Sequence, residues 1–176
     1  GGESTGPGST EVSLEDELER VLPVLHVLRK KTEAWISVDT YKAEVARHAV
    51  DAGAVIINDI WGLKVEPELA QVAAETGVGL VLMHNQKGTI YQDLLPDLGS
   101  SLQTSVKTAR DAGVPKENII IDPGIGFGKT PDQNLEVLAG LNALKVAGCP
   151  ILVGTSRKST LGLLLDLPTD QRVEAT

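Results

Sequence analysis

Polar side chains follow five apolar segments of the chain, each at the point where the segment ends. In chain order they are Asp39, Asn58 with Asp59, His84 with Asn85, Asp122, and Ser156 with Lys158. Carboxylate and carboxamide oxygens accept hydrogen bonds from ring N–H and amino groups, and a lysine donates to a ring oxygen or nitrogen. Such a set around an apolar pocket suits a flat heterocycle that is rich in amino and amide groups. The candidates for the apolar walls are Met83, Ile60 and Phe127.

The most distinctive of these segments is 119–130. Its three isoleucines predict a buried strand, which ends at Asp122, Pro123 and three glycines before a predicted helix. In an α/β protein, polar residues at the carboxyl end of a buried strand lie where ligands bind. Two phosphate-binding patterns fail here. A P-loop needs glycine where Pro123 stands, and the dinucleotide pattern needs glycine where Lys129 stands.

Apolar and amphipathic segments alternate along the chain. We predict strands at 35–38, 55–57, 80–83, 119–121 and 151–153, helices at 13–31, 42–52, 66–76, 98–112 and 134–146, and a further amphipathic segment at 161–165. Continuous apolar strands indicate burial on both faces, and intervening helices indicate parallel crossovers. Polar ends on five successive strands favour a (β/α)8 TIM barrel, where every strand end faces one mouth, over a doubly wound sheet with one switch point.

The length of the chain suggests that the barrel is incomplete. A whole barrel typically takes about 250 residues, and this chain has 176. We therefore expect roughly the second to seventh units of an α/β barrel that lacks its first and last strands.

Each candidate side chain also has a purely structural interpretation. Asp39 and Asp122 could cap the helices that follow them, and Asn58–Asp59 could form a turn with local backbone bonds. His84 could be a structural histidine inside the fold. Lys158 could be a solvated lysine, but a lysine is unfavourable in the first turn of a helix, and this favours a functional role.

Composition argues against several classes of protein. The net charge of -8 disfavours nucleic acid and anionic membrane surfaces as partners, so a phosphate-bearing ligand would need local donors. No apolar run approaches the roughly 18 residues of a membrane span. The single Cys149 excludes an internal disulfide, indicates a reducing compartment, and is expected to be a small buried apolar residue. No His/Cys/Asp set has structural metal spacing, so a zinc site is not expected.

Six short segments together carry a resemblance to a known family. They are GGEST at 1–5, SVDT at 37–40, IND at 57–59, MH at 83–84, DPGIGFGKT at 122–130 and SRKS at 156–159. Read together, they resemble dihydropteroate synthase, and the resemblance covers 1–176 as a single pterin-binding barrel domain truncated at both ends. It implies a folate-biosynthesis transferase that condenses a hydroxymethyl-dihydropterin pyrophosphate with p-aminobenzoate, with Mg²⁺ on the leaving pyrophosphate. It also implies a cytoplasmic sulfonamide target that is a homodimer at full length, without nucleic-acid or membrane partners.

The resemblance implies roles for individual residues. Catalysis would fall to Asp39, Asp122 and Lys158. The pterin would contact Asp39, Asn58, Ile60, Met83, Asp122, Phe127, Gly154 and Lys158. The p-aminobenzoate side would comprise Thr5, Pro7, Phe127, Ser156 and Lys158. The Mg²⁺ ligand is expected in a segment before residue 1, and no metal ligand is expected within the chain.

Two departures from the family pattern bear on activity. Gly6 stands where the family loop usually has arginine, so we expect weaker anion contacts, with impaired turnover or altered sulfonamide sensitivity. The strands that carry the family's anion and Mg²⁺ subsite are not in the chain, so by itself it should be inactive or bind pterin weakly. Two alternatives stay open. One is a methyltransferase of the methyltetrahydrofolate type, disfavoured by 156–159 and 1–8, and the other is a non-catalytic pterin-binding relic.

Overall fold

Strands and helices alternate through residues 1–4 and 10–174, the part of the chain that the computed structural model describes. The strands are β1 (Ser37–Asp39), β2 (Ile56–Asp59), β3 (Gly79–Met83) and β4 (Ile119–Asp122). The helices are α1 (Leu14–Lys31), α2 (Ala43–Asp51), α3 (Leu69–Thr76), α4 (Leu94–Asp111), α5 (Pro131–Ala139) and α6 (Ser159–Leu165). Short 3-10 segments lie at Lys116–Asn118, Leu141–Ala147 and Thr169–Gln171.

The order of the strands decides between the two candidate architectures. All neighbouring strands are parallel, and they lie in chain order, β1-β2-β3-β4. A doubly wound sheet reverses direction at its switch point, whereas a barrel adds each strand beside the preceding one. The sheet is therefore part of a (β/α)8 barrel, and the predicted fold class is confirmed.

Strand register divides the sheet into two faces, because side chains alternate along each strand. One face packs in the apolar core and is at most 3% exposed; it carries Val38, Ile57, Leu80, Leu82, Ile119 and Ile121. We call the other the inner face. It carries Ser37, Asp39, Ile56, Asn58, Gly79, Val81, Met83, Ile120 and Asp122.

Helices cover the core face through small and branched side chains. Ala46 and Ala49 of α2 and Ala73 of α3 are fully buried, and their small size allows the helices to lie close to the sheet. Leu98 and Leu102 of α4 are buried in the same core. Each such leucine contributes about 1.5–3 kcal/mol through its removal from water.

Caps set the ends of several helices as the sequence indicates. Ser13 caps α1 by accepting a hydrogen bond from the Asp16 amide at 3.1 Å. Thr130 and Gln133 form a reciprocal capping box at the start of α5. Gly77 ends α3 in the left-handed conformation that glycine adopts most readily.

Three predicted helices differ from the observed ones by three residues or more. The helix predicted at 66–76 begins at Leu69, after a turn at 67–68. The helix predicted at 98–112 begins earlier, at Leu94, because Leu94 and Leu98 are both buried on its core side. The helix predicted at 134–146 is instead a shorter α-helix that starts at Pro131, followed by a 3-10 segment after Gly140. Glycine in a helix interior is unfavourable, and here it marks the change of helix type.

The predicted fifth strand at 151–153 was wrong in extent. Only Ile151 pairs with the sheet, through a parallel bridge to Ile121. The Ile121 amide donates to the Pro150 carbonyl at 2.9 Å, and the Leu152 amide donates to the Ile121 carbonyl at 2.8 Å. Leu152 and Val153 are more than a third exposed, so little packing extends the pairing beyond this point.

Cys149 is a free, buried thiol next to this bridge, as predicted. Burial raises the pKa of the thiol, which keeps it in its neutral form. Among the described residues, no helix combines the length and the apolarity needed to cross a bilayer.

Candidate functional site

Asp39 and Asn58 lie side by side on the inner face. They are register partners on β1 and β2, and Asn58 Nδ2 donates to Asp39 Oδ2 at 3.2 Å. Met83 and Asp122 are likewise partners on β3 and β4, further along the same face. The register thus directs four of the predicted site residues to one side of the sheet.

The Asp39 carboxylate has one oxygen without a partner. Oδ1 is buried and makes no hydrogen bond to the described residues. Burial raises the pKa of Asp39, and Glu17 reinforces the rise; the Asn58 hydrogen bond and Lys158 act in the opposite direction. A buried, unpaired carboxylate oxygen is unfavourable, so this atom is an acceptor available to a donor on a ligand.

Asp122 is the second carboxylate of the site and is 8% exposed. Its Oδ1 accepts a hydrogen bond from the Gly124 amide at 2.7 Å. Burial raises the pKa of Asp122, and this bond together with Lys158 and Lys129 partly offsets the rise. Asp122 therefore both holds the loop that follows β4 and faces the inner side of the sheet.

Lys158 supplies the positive charge of the site. Its Nζ lies over the Phe127 ring, 4.5 Å from the ring centroid, which is cation–π geometry. Burial lowers the pKa of Lys158, while Asp122 and Asp39 counteract this shift. Lys158 therefore lies within electrostatic range of both carboxylates, although the three residues come from distant segments of the chain.

Glycines let the loop after β4, residues 123–128, approach its neighbours closely. Gly124 has φ +71°, and a Cβ there would lie 2.0 Å from the His84 carbonyl oxygen. At Gly126, a Cβ would lie 3.2 Å from Lys158 Cδ. The loop thus rests on the end of β3 on one side and on the site lysine on the other.

The remaining predicted contacts divide into three groups. Ile60 and Met83 are buried apolar residues, and Phe127 and Gly154 are partly buried. Ser156 is exposed, in the turn where the Lys158 amide donates to the Thr155 carbonyl at 3.3 Å. The predicted site residues Thr5 and Pro7, and the divergent Gly6, lie outside the described residues.

Asp59 is not part of the site, unlike its neighbour Asn58. It points to the core face and is 1% exposed, with Oδ1 accepting from the Trp61 amide at 2.8 Å and Oδ2 from the Leu63 amide at 2.6 Å. These bonds stabilise the turn in which Leu63 has φ +65°. The turn interpretation is therefore correct for Asp59, whereas Asn58 contacts Asp39.

His84 is a buried, neutral residue at the end of β3. Burial, reinforced by Lys129 and Lys64, lowers its pKa to about 3. Its Nδ1 lies 3.3 Å from Lys129 Nζ. Its neighbour Asn85 is also buried, and the Asn85 carbonyl accepts from Lys64 Nζ at 2.8 Å. Both contacts support the structural interpretation of His84–Asn85.

Asn134 is a buried contributor that the sequence analysis missed. It is 1% exposed, and its Oδ1 accepts from the Gly126 amide at 2.8 Å. Its Nδ2 donates to the Thr130 carbonyl at 2.8 Å and to Thr160 Oγ1 at 3.1 Å. A polar residue on the inward side of a predicted helix was the only signal in the sequence.

A buried ion cluster behind β1 was also missed. Lys42 Nζ lies 2.8 Å from Glu17 Oε2 and 2.6 Å from Glu3 Oε2, and it donates to the Val12 carbonyl at 2.7 Å. Burial alone would lower the pKa of Lys42, but hydrogen bonds to Glu17 and Glu3 outweigh it and raise the pKa. The only sign of this cluster in the sequence was a lysine at the start of a predicted helix. In the structure, Lys42 is the N-cap residue of α2 and makes no cap hydrogen bond.

The described residues do not fit a metal site by themselves. Within 1–4 and 10–174, no group of three or more His, Cys, Asp or Glu side chains could hold a metal ion. One oxygen of Asp39 accepts from Asn58, and one oxygen of Asp122 accepts from the Gly124 amide.

Known proteins resemble this chain along its whole length. A family model described as pterin binding enzyme matches residues 1–176. A dihydropteroate synthase from Clostridium beijerinckii is 51% identical over the whole chain, which spans 65% of that relative. The solved dihydropteroate synthase of Clostridium difficile, in the presence of pteroic acid, has a TM-score of 0.96 and 44% identity, covering 99% of this chain and 67% of that one.

A second solved structure is dihydropteroate synthase from Xanthomonas albilineans with 4-aminobenzoic acid. It has a TM-score of 0.94 and 42% identity, covering 99% of this chain and 64% of that one. The chain thus spans somewhat under two thirds of the Clostridium beijerinckii relative. The resemblance seen in the six sequence segments is confirmed over the full length of the chain. The chain belongs to the family of pterin-binding enzymes.

Proposed function

We propose that the complete gene product is a dihydropteroate synthase, which joins a hydroxymethyl-dihydropterin pyrophosphate to p-aminobenzoate and releases pyrophosphate. The observation that carries this proposal is the pair of inner-face carboxylates, Asp39 and Asp122, with Lys158 beside them; within the described part of the chain, the buried Oδ1 of Asp39 has no donor. Two acceptors and one donor beside apolar side chains complement an amide-bearing heterocycle. The names of the relatives support the same assignment.

The pterin would be held through its polar edge. Asp39 and Asp122 would accept hydrogen bonds from ring N–H and amino groups, and Lys158 would donate to a ring oxygen or nitrogen. Asn58 would fix the orientation of Asp39, since it already occupies Oδ2. Apolar and backbone contacts would come from Ile60, Met83, Phe127 and Gly154.

The site chemistry fits a dissociative substitution. When the C–O bond to pyrophosphate breaks, the methylene carbon is left as a cation conjugated with the pterin ring. The carboxylates of Asp39 and Asp122 would stabilise this positive charge electrostatically, in a partly buried site where the effect is stronger than in water. The neutral aniline nitrogen then forms the C–N bond and loses a proton, so no protein nucleophile is required.

The p-aminobenzoate side would lie beside Lys158 and Phe127. Ser156 is exposed in the turn that leads to Lys158 and could donate to the substrate carboxylate. The 4-aminobenzoic acid in the Xanthomonas albilineans structure supports a second-substrate site in this family. Thr5 and Pro7 are proposed contacts from the sequence resemblance alone, and sulfonamides would compete for the same place.

Four further proposals follow from the family resemblance. Residues 1–176 would form one incomplete barrel domain. Mg²⁺ would bind the leaving pyrophosphate through a ligand outside the described residues. The complete gene product would be a cytoplasmic homodimer. It would act on small molecules and not on nucleic acid or membranes, in keeping with its net charge of -8.

A coupled assay on the complete gene product tests the function. Formation of dihydropteroate that requires both p-aminobenzoate and the pterin pyrophosphate would support it. A methyltransferase would show no p-aminobenzoate dependence, and a relic would bind the pterin in calorimetry without turnover. Either result would overturn the synthase assignment. The 176-residue chain, assayed alongside, should release no pyrophosphate above background.

A further inference from the structure

Lys129 is a buried lysine whose side chain points back into its own loop. It is 9% exposed, and its Nζ donates to the Gly124 carbonyl at 3.1 Å and to the Phe127 carbonyl at 3.0 Å. A third contact, at 3.3 Å, joins it to His84 Nδ1. These three acceptors match the three hydrogen atoms of an ammonium group. Lys129 therefore has no donor left for a phosphate, which explains why its place after the glycines does not make a phosphate loop.

The contact with His84 fixes the tautomer of that ring. An ammonium group only donates, so Nδ1 must accept, and the proton of the neutral imidazole lies on Nε2. Through this contact, Lys129 joins the loop after β4 to the end of β3. The same two segments meet where Gly124 packs on the His84 carbonyl oxygen.

Lys129 and Asp122 hold the same residue from opposite sides. Asp122 Oδ1 accepts from the amide of Gly124, and Lys129 donates to its carbonyl. This arrangement leaves the second oxygen of Asp122 for another donor. The Phe127 carbonyl is fixed as well, and the Phe127 ring lies against the Lys158 ammonium.

We propose that Lys129 is a positioning residue: it ties the 123–128 loop to β3 and thereby fixes Asp122 and Phe127 for pterin binding. The inference rests on the proposed function, since it assigns pterin affinity to this loop. Lys129 itself does not touch the substrate. Its effect passes through Gly124 to Asp122, and through the Phe127 backbone to the ring beside Lys158.

The test compares affinities for 6-hydroxymethylpterin in the complete gene product. Lys129→Met removes the donors but keeps a long side chain, and we expect an affinity about tenfold lower, because two or more charge-assisted hydrogen bonds are lost. Lys145→Met, at an exposed lysine of the 3-10 segment, is the matched control and should bind like the wild type. A folded Lys129→Met protein with wild-type affinity would overturn the inference.

Chemical rescue separates positioning from a general structural role. Lys129→Ala should regain pterin affinity when propylammonium is added, because this ion replaces the missing atoms and their donors. Tetramethylammonium carries the charge without N–H groups and should not restore binding. Rescue by both cations, or by neither, would contradict the proposed hydrogen-bonded role.

A third variant tests the inference if Lys129→Met and Lys129→Ala do not fold. Lys129→Arg keeps a cation and its donors, but a planar guanidinium cannot direct three hydrogen atoms to these acceptors, so pterin affinity should fall at least about threefold. Unchanged affinity would overturn the inference. If the wild-type protein does not bind the pterin at all, the proposed function fails and this inference fails with it. If it binds and the variants bind equally, only this inference fails.

Discussion

Asn58 donates a hydrogen bond to one oxygen of Asp39, and the other oxygen of that carboxylate is buried and has no partner among residues 1–4 and 10–174. The two residues are register partners on adjacent parallel strands, so the arrangement follows from the sheet itself. It orients the carboxylate while leaving one acceptor unsatisfied. Such an atom lowers the stability of the empty protein and becomes favourable only when a donor arrives.

Asp39→Asn should therefore weaken pterin binding without lowering the stability of the fold. Because burial raises the pKa of Asp39, the folded chain holds its proton more tightly than the unfolded chain, and the ionised form destabilises the fold above the ordinary value of 3.8. At neutral pH we expect the variant to be as stable as the wild type or more stable in urea unfolding. Pterin affinity measured by calorimetry should fall about tenfold or more. Asp170→Asn, at an exposed site, should change neither quantity. Lower stability with intact binding would contradict this account.

Gly124→Ala should be severely destabilising, and Gly88→Ala provides its matched control. Both glycines have positive φ, +71° and +80°. A Cβ at Gly124 would lie 2.0 Å from the His84 carbonyl oxygen, whereas a Cβ at Gly88 would meet no atom of the described residues within 4 Å. We expect a loss of roughly 3 kcal/mol or more at Gly124 from clash and strain, and roughly 1 kcal/mol at Gly88 from strain alone. Equal losses in urea unfolding would show that the contact with β3 is unimportant.

Lys42→Met should destabilise the fold because it leaves Glu17 without its counter-charge. Glu17 is 1% exposed, and breaking a buried pair costs about 3–5 kcal/mol. Adding Glu17→Leu in the same chain should restore much of the loss. Lys107→Met removes an exposed i,i+4 pair with Asp111 and should cost no more than about 0.5 kcal/mol. The prediction fails if both lysine variants have similar unfolding free energies.

Stability should depend on pH through Lys129. Burial lowers its pKa to about 8 from 10.5, with Asp122 opposing and Lys64 reinforcing the shift, while His84 faces it as a neutral ring. The unfolded chain thus keeps a proton that the folded chain releases, so stability rises with pH between 8 and 10.5. Relative to Lys129→Met, the wild type should gain roughly 2 kcal/mol across this window in urea unfolding. If the unfolding free energies of the two proteins change with pH in the same way, Lys129 does not have the lowered pKa that its burial predicts.

The side chains of Asn58 and Asp59 lie on opposite faces of the sheet, and this shows what could and could not be predicted from the sequence. Apolar runs and glycine stops located the β1–β4 strands to within a few residues, because strand burial leaves a strong local pattern. Which of two adjacent polar residues faces inward depends on register, and a shift of one residue reverses every side chain. Neither residue type decides between the faces, so the structure was needed to assign them.

Contacts between distant charged residues could not be predicted from the sequence for a different reason. Glu17 lies in the first turn of α1 and Lys42 at the N-cap of α2, and neither position by itself indicates a partner. Their pairing joins residues 25 positions apart and depends on how two helices pack. The length of the strand predicted at 151–153 was wrong for a similar reason. Apolar composition predicts burial, but it does not predict how far the hydrogen bonds between two strands continue.

Asn134 links the loop after β4 to α6, with Gly126 on one side and Thr160 on the other. The segment that carries Phe127 and the helix that begins after Lys158 are therefore mechanically coupled. Substitutions in the two segments should show epistasis, so that the effect of a change near Phe127 depends on which residue occupies position 160. Sequence changes tolerated around this loop would then tend to occur in pairs instead of independently.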